Sequence, residues 1–156
     1  MLREQIDAAL RDAMKSQDEL RRSVFRMLIS SMHNREIEKR TKSASAHDES
    51  LTDEEIMQVI RSEAKKRKDA IDAYTQGGRQ DAAERERAEA NVLAALLPPE
   101  LSDEELSKLV DQGIASTGAT SVKEFGKVMG WVMGRVRGQA FGERISTIIR
   151  TRLGAS

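Results

Sequence analysis

The chain has 156 residues with 3% aromatics, 33% charged residues and only two prolines, a composition rich in Ala, Arg, Glu and Leu that favours an all-α protein of one or two small domains. It contains no cysteine, which excludes disulfides, a thiolate nucleophile and cysteine-ligated metals. The 26 basic and 26 acidic residues cancel, and no apolar run approaches the roughly 18 residues of a membrane span, so a soluble, cytoplasmic protein is expected.

The first element is a helix from Leu2 to about Ser16, with Leu2, Ile6, Ala9, Leu10, Ala13 and Met14 on one stripe. No signal-peptide apolar region opens the chain. A second helix follows Asp18, a plausible N-cap, and runs to about Arg40. Its main face carries Leu20, Val24, Met27, Leu28 and Ser31, widened by Phe25, Ile29 and Met32. A face that broad buries more than one side. The next stretch, about residues 41–51, is small, polar and aperiodic and is expected to be a mobile loop.

Thr52 and Glu55 form a capping box that opens a third helix, with Ile56, Val59, Ile60, Ala64, Ile71 and Tyr74 inward. Gly77-Gly78 stops it. A fourth helix spans about Gln80 to Leu97, and its middle, Glu84 to Glu89, reads as mostly solvated charge. Pro98-Pro99 breaks it and marks a domain boundary. The expected layout is therefore an N-terminal helical domain of about four helices over residues 1–97, followed by a small three-helix bundle over 98–156.

In the second domain, Ser102 and Glu105 form another capping box, and the helix that follows uses Leu106, Leu109, Val110 and Ile114 before stopping near Gly118. Ser121 and Glu124 form a third box. Beyond it, Gly126, Gly130, Gly134, Gly138 and Gly142 recur at strict four-residue spacing. A glycine in a helix interior costs about 1 kcal/mol relative to alanine. Gly138 to Gly142 reads as a turn, and Ile145, Ile148, Ile149 and Leu153 mark the last helix.

At about 100° per residue, Val128, Met129, Val132, Met133 and Val136 share a core arc, and Gly126, Gly130 and Gly134 form a strip beside it. Lys123, Lys127 and Arg137 fall in the glycine sector, with Trp131 beyond it. Bare backbone next to cations and an aromatic ring suits a phosphate or sugar surface. The same spacing also lets two helices pack closely. Both readings stand, and both can hold at different glycines.

Charge distribution bears on that choice. Residues 1–100 carry 18 Lys/Arg and 20 Asp/Glu, a net of −2. Residues 120–156 carry Lys123, Lys127, Arg135, Arg137, Arg144, Arg150 and Arg152 against Glu124 and Glu143, a net of +5. A basic tail points to an anionic partner. A second basic run, Lys65-Lys66-Arg67-Lys68, has Glu63, Asp69 and Asp72 around it. It reads either as a salt-bridged surface or as a phosphate contact. His33 and His47 lack metal-ligand spacing. No nucleophile elbow, phosphate-binding loop or dinucleotide fingerprint occurs. No cofactor, metal or catalytic residue is expected.

Taken together, several segments give the chain a resemblance to the YqeY-like family. These are Lys65-Lys66-Arg67-Lys68-Asp69-Ala70-Ile71, Gly78-Arg79-Gln80-Asp81 with Glu84, Glu86 and Glu89, the joint Leu97-Pro98-Pro99-Glu100-Leu101-Ser102, and Gly126-Lys127-Val128-Met129-Gly130 with Gly138, Ala140 and Gly142. Family members resemble the tail domain of GatB, a subunit of the tRNA-dependent amidotransferase. The resemblance implies a helical N-terminal domain, a C-terminal three-helix bundle and kinship with a module that contacts tRNA. It does not carry over amidotransferase chemistry, and a glutamine-dependent carbon–nitrogen ligase label would be inherited by association. The expected role is a non-catalytic adaptor for tRNA or another structured RNA, with an amidotransferase or synthetase as partner and no role for membrane or DNA. The proposed contacts are Lys123, Lys127, Arg135, Arg137, Arg144 and Trp131. The alternative is a protein–protein interaction module whose glycine ladder is structural. One departure stands out: where the family usually has an acidic or amide residue, before Gly142, this chain has Phe141.

Overall fold

The computed structural model describes residues 1–43 and 50–154. Among the described residues there are seven α-helices and no strand: α1 (Leu2–Lys15), α2 (Glu19–Lys42), α3 (Asp53–Gln76), α4 (Gln80–Ala94), α5 (Asp103–Thr117), α6 (Phe125–Val136) and α7 (Gly142–Arg152). A 3-10 turn over Val122–Glu124 leads into α6. The chain divides into two compact units, Met1–Leu97 and Pro98–Ser156. None of the helices is long and apolar enough to cross a membrane.

In the first unit the helix starts follow local chemistry. The Asp18 carboxylate accepts from the Arg21 N–H at 3.0 Å and caps α2. At α3 the Thr52 hydroxyl accepts from the Glu55 N–H at 3.2 Å, and the Glu55 carboxylate accepts from the Thr52 N–H at 2.8 Å. Both bonds satisfy amides that a helix start leaves over. Ile6, Val24, Leu28, Met32, Ile56, Ile60 and Leu93 form the core of this unit. A large aliphatic side chain buried this way contributes roughly 2 kcal/mol.

Four boundaries differ from the sequence expectation. Met14 is 49% exposed, so the α1 stripe ends at Ala13. Helix α2 continues through Thr41 and Lys42, and Leu51 is buried in the core. The expected loop therefore shrinks from both sides, and its residues 44–49, His47 among them, lie outside the described residues. Helix α4 ends at Ala94 rather than Leu97. Leu96 and Leu97 instead donate to the carbonyls of Leu93 and Ala94, both at 3.1 Å, in tighter turns. The proline after Leu97 disfavours α geometry at that residue.

In the second unit, Ser102 and Glu105 exchange the same pair of bonds as Thr52 and Glu55, at 3.2 and 2.8 Å. Gly118 closes α5 in a left-handed conformation, φ 69°. Leu106, Val110, Val128, Val132, Val136, Ile145 and Ile149 form this unit's core, all fully buried.

Candidate functional site

Helix α6 is set at its start by Glu124. The Glu124 carboxylate accepts from the Thr120 N–H at 2.6 Å and the Ser121 N–H at 3.3 Å. The Thr120 amide holds the acid below the usual carboxylate range, helped by the Ser121 amide and the nearby Lys127 ammonium. Along the inner face Val128, Val132 and Val136 are fully buried. That arrangement turns Gly126, Gly130 and Gly134 outward, and all three are exposed. A Cβ added at any of them would meet no atom within 4 Å. The close helix packing that the ladder allows is therefore absent at these three glycines. They leave an exposed strip of bare backbone, rising about 6 Å from one glycine to the next.

The last two glycines do not continue the strip. Helix α6 ends at Arg137, which is left-handed at φ 48° and ψ 47°, and Gly138 follows at φ 76°. Arg137 thus lies just past the helix, and the helical wheel does not place it. Gly142 starts α7, where an added Cβ would sit 3.7 Å from Met129 Cε. That is ordinary van der Waals distance, so this glycine borders a neighbouring side chain without being forced by it. Phe141 stands at the N-cap of α7 and provides no side-chain cap bond, as expected once the polar residue is gone.

The cations of the basic tail separate into two groups. Arg144 donates to Glu100 at 2.8 Å, Asp103 at 2.7 Å and the Leu101 carbonyl at 3.0 Å. It clasps the segment before α5, where the Leu101 N–H also donates to the Gln139 carbonyl at 2.9 Å. Arg152 pairs with Asp111 at 2.9 Å, and Arg150 lies over the Phe125 ring. Arg135 lies over Trp131, its guanidinium 3.6 Å from the ring centroid, while Nη1 donates to the Trp131 carbonyl. Lys123, Lys127 and Arg137 are exposed and make no ion pair with another described residue. Lys127 lies on α6 between Gly126 and Gly130, Lys123 in the 3-10 turn before the helix and Arg137 just past its end.

Trp131 is less open than expected. The indole is half-buried against the core and lies against Gly113 of α5, with Arg135 over it. It is packed and covered rather than presented as a stacking platform. Arg144 likewise has its donors taken up within the unit. The sequence shows neither contact, because the partners come from other helices or from the joint.

The run Lys65–Lys68 also separates. Lys65, Lys66 and Lys68 face solvent, while Arg67 turns inward. Arg67 lies 3.3 Å from Glu86, 3.3 Å from Glu89 and 3.7 Å from Glu63. Glu86 and Glu89 are therefore half-buried anchors that join α4 to α3, not solvated charge. Glu63 is buried, as is Arg61. The Glu63 carboxylate accepts from Ser31 at 3.0 Å and Lys66 at 2.7 Å. Sequence reading missed this buried carboxylate. Its only signal is a charge on the same α3 face as the apolar residues Ile56, Val59 and Ile60.

The chain matches the family model described as Yqey-like protein over residues 3–153. No curated protein shows significant similarity to it.

Proposed function

Since the chain belongs to the YqeY-like family, we propose that it is a non-catalytic adaptor that binds tRNA or another structured RNA through the outer face of α6. One observation carries this reading: Gly126, Gly130 and Gly134 are exposed, with nothing over them, on a helix that bears the exposed Lys127 and has the exposed Lys123 and Arg137 at its two ends. A helix interior that gives up roughly 3 kcal/mol of propensity to three glycines gains nothing from them within its own unit. Bare backbone lets a sugar–phosphate chain approach closely, and Lys123, Lys127 and Arg137 supply counter-charge. Trp131 and Arg144 drop out of the contact set, because each is engaged within the unit. Arg135 can join only by leaving Trp131. The family's resemblance to a tRNA-contacting tail domain supports RNA as the anion, with an amidotransferase or a synthetase as recipient.

A second reading has support from the same strip. Exposed small residues at helical spacing also accept a helix from another protein. Replacing Lys123 and Lys127 by Gln and Arg137 by Gly separates the two. RNA binding predicts weaker affinity for bulk tRNA and a shallower dependence on salt, by roughly 0.7–0.9 for each phosphate no longer neutralised. Unchanged affinity and slope would favour the protein partner.

A further inference from the structure

We propose that the cleft between α2 and α3 binds a small zwitterion, namely a free α-amino acid. The cleft encloses about 430 Å³. Ser31, Asn34, Arg35 and Glu38 line it from α2, at the spacing of one helical face. Gln58, Glu63 and Lys66 line it from α3. Val59 is the buried apolar residue of the lining. Asn34, Arg35, Glu38, Ser62 and Lys66 are exposed and bring both signs of charge to the cleft, while Glu63 is buried to 4% exposure at the edge of the core. Burying a carboxylate is costly unless it is paired, and the bonds from Ser31 and Lys66 both fall on one oxygen, Oε1.

The register of the two helices places the charges. Ser31 bonds Glu63 and Lys39 bonds Glu55. Arg35 therefore falls opposite Val59, one turn from Glu63, about 6 Å along the axis. That separation fits the two charged ends of one amino acid, given the reach of the arginine side chain. Glu63 accepts from Ser31 and Lys66 at Oε1. Its Oε2 lies 3.7 Å from Arg67, outside hydrogen-bond distance. An ionised carboxylate has further acceptor sites, so a ligand ammonium can dock on Glu63 while its carboxylate draws Arg35 from Glu38, which the guanidinium meets at 3.1 Å in the free chain. The amides of Asn34 and Gln58 are left for a polar ligand side chain. A simple anion would meet Glu38 and Glu63, and a simple cation would meet Arg35 and Lys66. A planar base finds no aromatic ring among the lining residues.

The test is amide-resonance mapping on the full chain, titrated singly with each common L-α-amino acid. Ethylamine and propionate, which carry one charge each, serve as controls. Saturable shifts confined to α2 and α3 around the cleft are expected for at least one amino acid. The controls should bind at least roughly tenfold more weakly. Glu63→Gln should weaken binding by a similar factor. Because Glu63 also faces Arg67, the exposed Arg35→Ala change gives the same test without touching the buried cluster. No saturable shifts with any amino acid would overturn the proposal, as would Arg35→Ala binding as tightly as the parent chain.

Discussion

Gly113 of α5 lies so close to Trp131 of α6 that a Cβ on it would stand 2.9 Å from the indole Cε3 and 3.2 Å from Val132 Cγ2. The close helix contact of the second unit is made here, by a glycine outside the ladder. Gly113→Ala gains about 1 kcal/mol of helix propensity but overpacks a filled interface, which typically costs about 1–3 kcal/mol. We expect net destabilisation of about 1 kcal/mol in urea unfolding. A variant as stable as the parent would show that the α5–α6 interface can give way.

The ladder glycines should behave in the opposite way. At Gly126 and Gly134 a methyl group enters open space, so each alanine substitution should stabilise by up to about 1 kcal/mol. A raised melting temperature for the double variant is the expected outcome. Destabilisation would mean that the strip is packed in solution.

Arg67 holds three carboxylates, Glu63, Glu86 and Glu89, and is largely buried among them. Removing one partner of a buried charge cluster costs about 3–5 kcal/mol. Arg67→Met should therefore lower stability by at least about 3 kcal/mol in denaturant unfolding. Arg67→Lys should recover little, because an ammonium cannot reach three carboxylates with the guanidinium's planar fork. Full recovery with lysine would reduce the cluster's role to simple charge.

Acid should weaken the helix caps. The Ser102 backbone N–H holds Glu105 below the usual carboxylate range, with help from the Ser102 side chain. Burial pushes Glu55 up, but the Lys39 ammonium and the Thr52 amide outweigh it and leave the acid lowered. For a carboxylate lowered by folding, the added stability is present above the unfolded pKa, about 4.3 for Glu. It is lost as pH falls through the lower folded value. Glu105→Gln keeps an acceptor for the cap but does not titrate. The stability gap between parent and variant should thus shrink below about pH 4. A gap that stays constant from neutral pH into acid would contradict this account of the cap.

What could be read in the sequence was local. The Thr52–Glu55 and Ser102–Glu105 boxes and the stop at Gly118 depend on contacts within one helical turn, so spacing alone reveals them. The outward position of Gly126, Gly130 and Gly134 also follows from the wheel, because Val128, Val132 and Val136 claim the core. Spacing cannot say whether a neighbour covers the glycines. That depends on where other helices lie, and the neighbour came to Gly113 instead. The basic residues show the same limit. Arg67 and Lys66 are adjacent in a charged run, yet Arg67 finds Glu86 across 19 residues of chain. Arg144 finds Glu100 across 44. Pairings that distant are set by tertiary register, and no local pattern separates such an arginine from an available one. The polar cleft was hidden for the same reason, since Ser31 and Glu63 meet only when α2 and α3 are side by side.

The central claim is that the exposed glycine strip of α6 contacts RNA, and Gly130→Leu tests it most directly. Leucine is a good helix former, and position 130 has open space around it, so the variant should melt at or above the parent temperature. Its side chain would stand where the sugar–phosphate chain must approach. Affinity for labelled bulk tRNA at fixed salt should fall by at least roughly tenfold while the fold is kept. A stable Gly130→Leu chain that binds tRNA as tightly as the parent would contradict the account.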